Sequence, residues 1–221
     1  MKMPYKLSPS SLSLLEECPR CFWLQFNKGI KRPSTIFPSL PSGMDKILKE
    51  HFDRFMERGC LPPELTELEG EVKLFANKEL LENWRNWRKG LRWKDKEGNE
   101  LTGALDNVLQ KGKKLIVLDY KTRGFPLKED SAGYYQNQLD IYNFLLRKNG
   151  YATADYAYLL FYHPDKVTED GAVMFHTDLK RIETSVKNAG EFFNRALEVL
   201  NGEMPKCGCE CGFCQLIDMR L

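Results

Sequence analysis

The spacing of hydrophobic residues along the chain predicts an alternation of helices and strands. Apolar residues recur at helical spacing over residues 8–27 (with a break at Pro19), 42–58, 78–89, 134–148 and 181–200. They form short apolar runs or alternate with polar residues over 91–93, 101–109, 115–121, 156–162 and 172–176, which predicts strands. Residues 28–41 carry three prolines and are predicted to be a loop. The order predicts one α/β domain over residues 1–221, with a central mixed β-sheet flanked by helices.

Composition and charge leave a globular, non-membrane protein. The 221 residues are 42% hydrophobic and 29% charged, which is ordinary for a chain with a packed core and excludes a disordered or fibrous one. No apolar stretch approaches the roughly 18 residues that a membrane helix needs, and no secretory signal precedes the first predicted helix. The net charge of +2 neither requires nor excludes a nucleic-acid partner. We therefore expect a cytoplasmic protein without a membrane partner.

Six of the seven cysteines lie in two clusters, one near each end of the chain. The odd number and the missing signal favour reduced thiols over a disulfide framework. Cys18-x-x-Cys21 and Cys211-x-x-Cys214 each present two thiolates at metal-site spacing, with Cys207 and Cys209 as alternates. The pattern predicts a metal centre that joins residues 1–30 to residues 203–221. Four thiolates suit zinc and an iron–sulfur cluster equally well. The remaining thiol, Cys60, stands alone.

Two acidic residues are predicted to face each other across a hairpin. If the turn is centred on Gly112-Lys113, antiparallel pairing places Asp106 opposite Asp119 on the same face. Facing carboxylates repel, and a divalent cation with hard oxygen ligands, Mg²⁺ or Mn²⁺, offsets the repulsion. Lys121 lies two residues further along the same face, where it can orient a water or stabilise charge on a phosphate. The alternative is a surface hairpin with scattered charge.

Four ordered segments together resemble the PD-(D/E)XK nuclease superfamily, and in particular its RecB-like branch. They are the Leu7-Ser-Pro-Ser-Ser-Leu opening, the Gly103-x-x-Asp106 strand, the apolar strand that ends in Asp119-x-Lys121, and the helix with Gln138-x-x-x-Tyr142. That branch includes CRISPR-associated RecB-like exonucleases and nuclease domains of bacterial recombination helicases. The resemblance extends from Leu7 to Cys214 and implies a restriction-endonuclease-like core.

The resemblance also implies roles for individual residues. It makes Asp106 and Asp119 metal ligands and Lys121 the catalytic lysine. It adds residues that would complete the site: Gln138 and Tyr142 as catalytic-site and substrate-binding residues, and His51 and the Tyr120 carbonyl as further metal ligands. The glycine before His51 lies further away than is usual for the branch. For the cysteines, the resemblance favours a [4Fe–4S] cluster, with Zn²⁺ as the alternative, although the usual last cysteine is missing.

The function implied is metal-dependent hydrolysis of DNA. We expect an exonuclease on single-stranded DNA or DNA ends in repair, recombination or CRISPR-type processing, with a helicase or another repair protein as a partner. The alternative is a catalytically silent nuclease fold that binds nucleic acid within a larger repair complex. Arg20 and Arg123 are predicted to contact DNA together with Gln138 and Tyr142. A weaker set of candidates contains two tryptophans and two arginines: Trp84, Arg85, Trp87 and Arg88. His163 and His176 are predicted to be structural.

Overall fold

The computed structural model describes residues 3–33, 39–207 and 211–218. Its first two helices are short, as predicted. Helix α1 spans Pro9–Glu17 and helix α2 spans Pro19–Lys28. Ser8 caps α1, since its side chain accepts a hydrogen bond from the backbone N–H of Ser11. The first helix ends before Pro19, because proline cannot donate the backbone hydrogen bond that would continue it.

Helix α3 spans Ser39–Arg58 and begins three residues before the predicted start at residue 42. Pro41 lies in its first turn, where no intrahelical partner is needed for a backbone N–H, so the proline does not block the helix. A 3₁₀ turn over Pro63–Leu68 follows, which the sequence pattern did not predict. Helix α4 spans Lys78–Arg85 and is shorter than predicted, because residues 86–90 form a hydrogen-bonded turn instead.

Two groups of strands are present in the described part of the chain. Strands β1 (Lys6–Leu7), β4 (Glu100–Gly103) and β3 (Leu91–Lys94) form a three-stranded sheet in that order. The larger sheet has the order β2-β5-β6-β7-β8, with bounds Lys73–Leu74, Asn107–Lys111, Lys114–Thr122, Tyr156–Val167 and Val173–Glu183. Strands β6 and β7 are parallel, and the other pairs of this sheet are antiparallel. The predicted mixed sheet is therefore confirmed.

Two further predictions, the strand over residues 101–109 and the helix start at Arg181, were also wrong. The single strand predicted over residues 101–109 is two strands, β4 and β5, in different sheets; between them the backbone N–H of Leu105 donates to Trp84 O of α4. The helix predicted from Arg181 begins later, because β8 continues to Glu183 in register with Tyr156 of β7. Helix α6 spans Val186–Asn201, and Ser185 caps it.

Helices cover both faces of the larger sheet. Helix α5 (Gln136–Lys148), which follows a 3₁₀ turn over Glu129–Tyr135, packs with α6 on one face. Helix α3 packs on the other face. Residues of β6 alternate between these two cores, with Val117 towards α5 and Leu118 towards α3. This alternation directs Asp119 and Lys121 to the α5 face.

The C-terminal helix α7 spans Gly212–Asp218 and lies against α2. Elements from the N-terminal and C-terminal parts of the described chain therefore meet at α2 and α7. None of the helices in the described ranges combines the length and the apolar character that crossing a bilayer requires.

Candidate active site

The hairpin of β5 and β6 has the predicted register. Asn107 pairs with Leu118 and Val108 with Val117, and Asp106 immediately precedes β5. The Oδ2 atom of Asp106 accepts a hydrogen bond from the backbone N–H of Tyr120, at 3.1 Å. Because this N–H adjoins Asp119, the two carboxylates meet at one end of the hairpin.

Asp119 is almost completely buried, with 2% of its surface exposed. Its Oδ2 atom lies 2.6 Å from Nζ of Lys121, yet no group meets it with hydrogen-bond geometry. Burial raises the pKa of Asp119 to about 7; the Lys121 charge opposes this shift and the Asp106 charge adds to it. A buried carboxylate oxygen without a hydrogen bond, beside a second carboxylate, suits a hard divalent cation. The donor set of the two acids therefore fits Mg²⁺ or Mn²⁺.

Helix α5 holds Lys121 in place. Its Nζ donates a hydrogen bond to Oε1 of Gln138 at 2.9 Å, and Nε2 of Gln138 donates to the hydroxyl of Tyr142 at 2.9 Å. Nζ also lies 4.7 Å from the centre of the Tyr135 ring. Burial works to lower the pKa of Lys121, but the charges of Asp119 and Asp106 raise it, and the net pKa lies above its usual value. The lysine is thus a fixed cation beside the two acids.

Lys49 of α3 also reaches the site, which the sequence did not predict. Its Nζ lies 3.2 Å from Oδ1 of Asp106 and 2.8 Å from Oδ2 of Asp45, one helical turn away. Arg85 adds a further contact, because its Nε donates to the backbone carbonyl of Asp106 at 2.8 Å, while Asp53 binds its Nη1. The spacing of Asp45 and Lys49 predicts a pair on one helix face, but no local pattern indicates that this face meets Asp106.

His51 does not join the acids. Its Nε2 lies 3.1 Å from Oε1 of Glu64, which also accepts a hydrogen bond from the hydroxyl of Tyr162. Among the described residues, some His, Cys, Asp and Glu side chains form clusters of three or more with their ligand atoms within 4.8 Å of one another. No such cluster in that part of the chain contains His51 together with Asp106 and Asp119.

The remaining predicted residues lie at several places. Arg20 lies in α2 between two of the clustered cysteines. Arg123 follows β6, and its backbone N–H donates to Tyr162 O at 2.8 Å. Tyr120 is buried, and its hydroxyl accepts a hydrogen bond from Asn107 at 2.6 Å. Metal ligation by the Tyr120 carbonyl and DNA contacts by the two arginines stay predictions.

A groove of about 350 Å³ runs beside Gln138 and Tyr142 and is bordered by residues 8–10, residues 102–104 and Trp87. The Trp87 side chain is 75% exposed, and the guanidinium of Arg88 lies 5.0 Å from the centre of its ring. The structure thus leaves a largely exposed aromatic ring at the edge of the site, with Arg88 against it.

The two other weaker candidates have structural contacts. Trp84 is 4% exposed and stacks on Phe75, with ring centres 5.3 Å apart. Arg85 is occupied by Asp53 and by the backbone of the hairpin, as described above. Of the two tryptophans, only Trp87 is thus accessible to a substrate.

Four cysteines meet where α2 and α7 adjoin. Sulfur–sulfur distances are 3.6 Å for Cys18–Cys214, 3.6 Å for Cys21–Cys211 and 3.5 Å for Cys21–Cys214. The four Sγ atoms all lie within 4.8 Å of one another. The predicted clustering of the N- and C-terminal pairs is therefore confirmed.

Cys207 and Arg32 adjoin this group of four cysteines. Cys207 packs against the cluster, Cys209 lies outside the described residues, and Cys60 is exposed elsewhere. Nη2 of Arg32 lies 3.5 Å from the sulfur of Cys211. The pKa of Cys211 falls to about 6. Burial acts to raise this pKa, but hydrogen bonds from the Cys214 backbone and from the neighbouring thiols lower it by a larger amount. The pKa of Cys18 is also lowered, whereas burial and neighbouring thiols raise the pKa of Cys21 and of Cys214, so the four thiols do not all ionise easily in the absence of a metal.

Comparison with known proteins adds one finding. The family model of the PD-(D/E)XK nuclease superfamily matches residues 6–219. The match includes both cysteine pairs, the β5–β6 hairpin and the helix that carries Gln138 and Tyr142. A search among curated proteins finds no match.

Proposed function

The chain belongs to the PD-(D/E)XK nuclease superfamily, and from this premise we propose that it is a divalent-metal-dependent deoxyribonuclease. The observation that carries the proposal is the set of a buried Asp119 and the half-buried Asp106 and Lys121 at one end of the hairpin. The superfamily membership makes the fold that of a nuclease. The intact acidic pair and lysine favour turnover over a silent binding role.

We propose Asp106 and Asp119 as the protein ligands of Mg²⁺ or Mn²⁺. Such an ion, when bound, polarises the phosphodiester and lowers the pKa of a coordinated water. The burial of Asp119 supports this role, since a low-dielectric surrounding strengthens its interaction with a cation. His51 is left out of this set because it contacts Glu64; a Mn²⁺ affinity that falls tenfold or more in His51→Gln would return it to the ligands.

Lys121 is the residue that we propose to act on the water or the developing charge. Its hydrogen bond to Gln138 and its ion pair with Asp119 fix the ammonium between the acids and the groove. Because burial raises the pKa of Tyr142 well above its usual value, the hydroxyl stays neutral. Because the hydroxyl accepts a hydrogen bond from Nε2 of Gln138, its own proton is left to donate to a substrate phosphate, and we propose that Gln138 and Tyr142 together position the substrate strand.

Single-stranded DNA or a frayed DNA end is the proposed substrate. The exposed ring of Trp87 borders the groove that contains Gln138 and Tyr142. An indole surface of this kind stacks on an unpaired base, whereas bases within a duplex already stack on each other. Cleavage from an end, a role in repair and a helicase partner are parts of the proposal that the RecB-like resemblance supports.

For the cysteine cluster we propose a single Zn²⁺, although the resemblance to the RecB-like branch favoured [4Fe–4S]. Four thiolates about 2.3 Å from one zinc lie about 3.8 Å apart in a tetrahedron. The observed separations of 3.5–3.6 Å are close to that value. A [4Fe–4S] cluster places four irons between the sulfurs and holds them further apart. The proposed zinc joins α2 to α7 and has a structural role.

The test is cleavage of end-labelled single-stranded and duplex DNA by the purified protein with Mn²⁺. Cleavage that EDTA stops and that Asp119→Asn abolishes supports the proposal, and the product ladder reports direction. Asp155→Asn, an exposed carboxylate distant in sequence, is the matched control and should cut normally. Metal-independent DNA binding without any cleavage would instead establish the silent nuclease fold.

A further inference from the structure

A second cluster of possible metal ligands lies on the outer strand pair of the larger sheet. Atoms of His163, His176 and Asp178 all lie within 4.8 Å of one another. His163 of β7 is the direct partner of His176 of β8, and Asp178 pairs with Phe161, two residues before His163. Side chains of direct partners and of residues two apart point to the same face of a sheet. The three groups therefore converge from two strands onto one spot.

The distances within this cluster match ligands around one ion better than hydrogen bonds. Nε2 of His163 lies 3.5 Å from Oδ2 of Asp178, and Nε2 of His176 lies 3.7 Å from Oδ1. Hydrogen bonds to a carboxylate are about 2.7–3.2 Å long. Ligands about 2.1 Å from a tetrahedral zinc are about 3.4 Å apart. Both nitrogens thus face the same carboxylate at a separation that leaves room for an ion between them.

A contact outside the cluster directs the His163 ring. Its Nδ1 lies 3.3 Å from the Pro164 carbonyl oxygen, which can only accept a hydrogen bond. The proton is therefore assigned to Nδ1, and the lone pair of Nε2 is left to face Asp178. Metal-binding histidines commonly donate their second nitrogen to a backbone carbonyl in this way, which fixes the ring and its tautomer. The His163 ring is also buried, with 7% of the residue exposed.

The sheet has an irregularity beside the cluster, since the pairing of β7 with β8 shifts register between Pro164 and Lys166. Bulges of this kind redirect side chains next to functional sites. The opposite side of the cluster is open, because the His176 side chain is 58% exposed. An ion can therefore enter from solvent and keep an open coordination position.

We propose that His163, His176 and Asp178 form a site for a divalent transition metal ion that prefers imidazole ligands, of which Zn²⁺ is the example. Two imidazoles and one carboxylate are the ligand types of open zinc sites, whereas Mg²⁺ prefers oxygen ligands. The site is distinct from the acidic pair. Lys121, Phe161 and Asp178 are successive partners on β6, β7 and β8, so two strand spacings, about 10 Å, separate the backbones of Lys121 and Asp178 on the same face. A bound ion would tie the edge strand β8 to β7.

The chain contains three histidines, which allows a direct test by NMR of protein labelled with ¹⁵N-histidine. ZnCl₂ is titrated into protein whose cysteine centre is already filled, with Mg²⁺ in excess to occupy the acidic pair. We expect the Nε2 signals of His163 and His176 to shift together and to saturate at one equivalent, with His51 unchanged. Asp178→Asn should weaken this binding at least tenfold. Asp165→Asn, an exposed carboxylate of β7, is the matched control and should bind as the wild type does.

Two results would overturn the proposal: the two imidazoles responding with separate affinities, or Asp178→Asn binding Zn²⁺ as tightly as the control. If Asp178→Asn does not fold, His176→Gln serves as the second variant, because its side chain is largely exposed. In that variant His163, the one imidazole left in the cluster, should lose its response at one equivalent. An unchanged response of His163 would also contradict a shared ion.

Discussion

Asp119 should make the stability of the protein depend on pH when no divalent metal occupies the acidic pair. Its pKa of about 7 in the folded state lies well above the value of about 3.9 in an unfolded chain. The folded state therefore binds the proton more tightly, so the stabilisation is present at low pH and is lost as pH rises towards 7. The full shift in the pKa of Asp119 corresponds to about 4 kcal/mol of unfolding free energy. About 2 kcal/mol of this is lost between pH 5 and pH 7.

The assay is urea unfolding of wild type and Asp119→Asn from pH 5 to pH 7, in buffers freed of divalent ions by a resin so that the cysteine centre keeps its metal. The difference in unfolding free energy between the two proteins isolates the titration of Asp119, because the other titratable side chains are present in both. We expect the variant to gain about 2 kcal/mol relative to wild type over the two pH units. Saturating Mn²⁺ should remove most of the trend, since the ion binds the ionised carboxylate.

A flat difference across this range would refute the reasoning. It would mean that the Lys121 ammonium, 2.6 Å from Asp119, keeps the carboxylate ionised in spite of its burial. Asp155→Asn removes an exposed carboxylate and should show no trend relative to wild type. A trend in this control would show that the method reports general charge effects.

The remaining predictions concern the lysine, the cysteines and the groove. Lys121→Met should lower the cleavage rate by roughly 10²-fold or more while single-stranded DNA binding persists. Lys113→Met, which changes an exposed lysine of the hairpin turn, should cleave normally. Comparable cleavage rates in the two variants would remove Lys121 from the mechanism. Cys214→Ala should lose the zinc measured by elemental analysis and several kcal/mol of unfolding free energy. Cys60→Ala, which changes an exposed thiol, should lose neither. Full metal content and stability in Cys214→Ala would exclude a cysteine metal centre. Trp87→Ala should weaken binding of an unpaired strand about 5- to 150-fold in fluorescence anisotropy, with Trp87→Phe close to wild type, and equal affinities would place the strand elsewhere.

The structure shows how a strand can be mostly apolar and still end in charged groups. Residues 115–118 of β6 are buried between the two helical layers, and this fixes the strand. Asp119 and Lys121 then lie at its end, where α5 supplies Gln138 as a partner for the lysine. Because the supporting contacts come from regular elements, the acids and the lysine are held with little freedom, as a catalytic site requires.

Local features of the sequence determined the hairpin and much of the secondary structure. The alternation of side chains and the Gly112-Lys113 turn set the β5–β6 register, so the opposition of Asp106 and Asp119 followed from sequence alone. Helix ends at Pro19 and after Arg147-Lys148 were also predictable, since proline and terminal cap residues act over a few residues. The spacing of each Cys-x-x-Cys pair indicated a shared centre.

Contacts between distant elements were decided only by the tertiary structure. Lys49 lies at Asp106 while His51, two residues later, turns to Glu64, because a rotation of about 100° per residue places the two on different sides of α3. The pairing of His163 with His176 depends on the register of β7 with β8, which the five-residue connection over 168–172 and a bulge define together. Sequence periodicity specifies which residues share a face, but packing decides which partner that face meets.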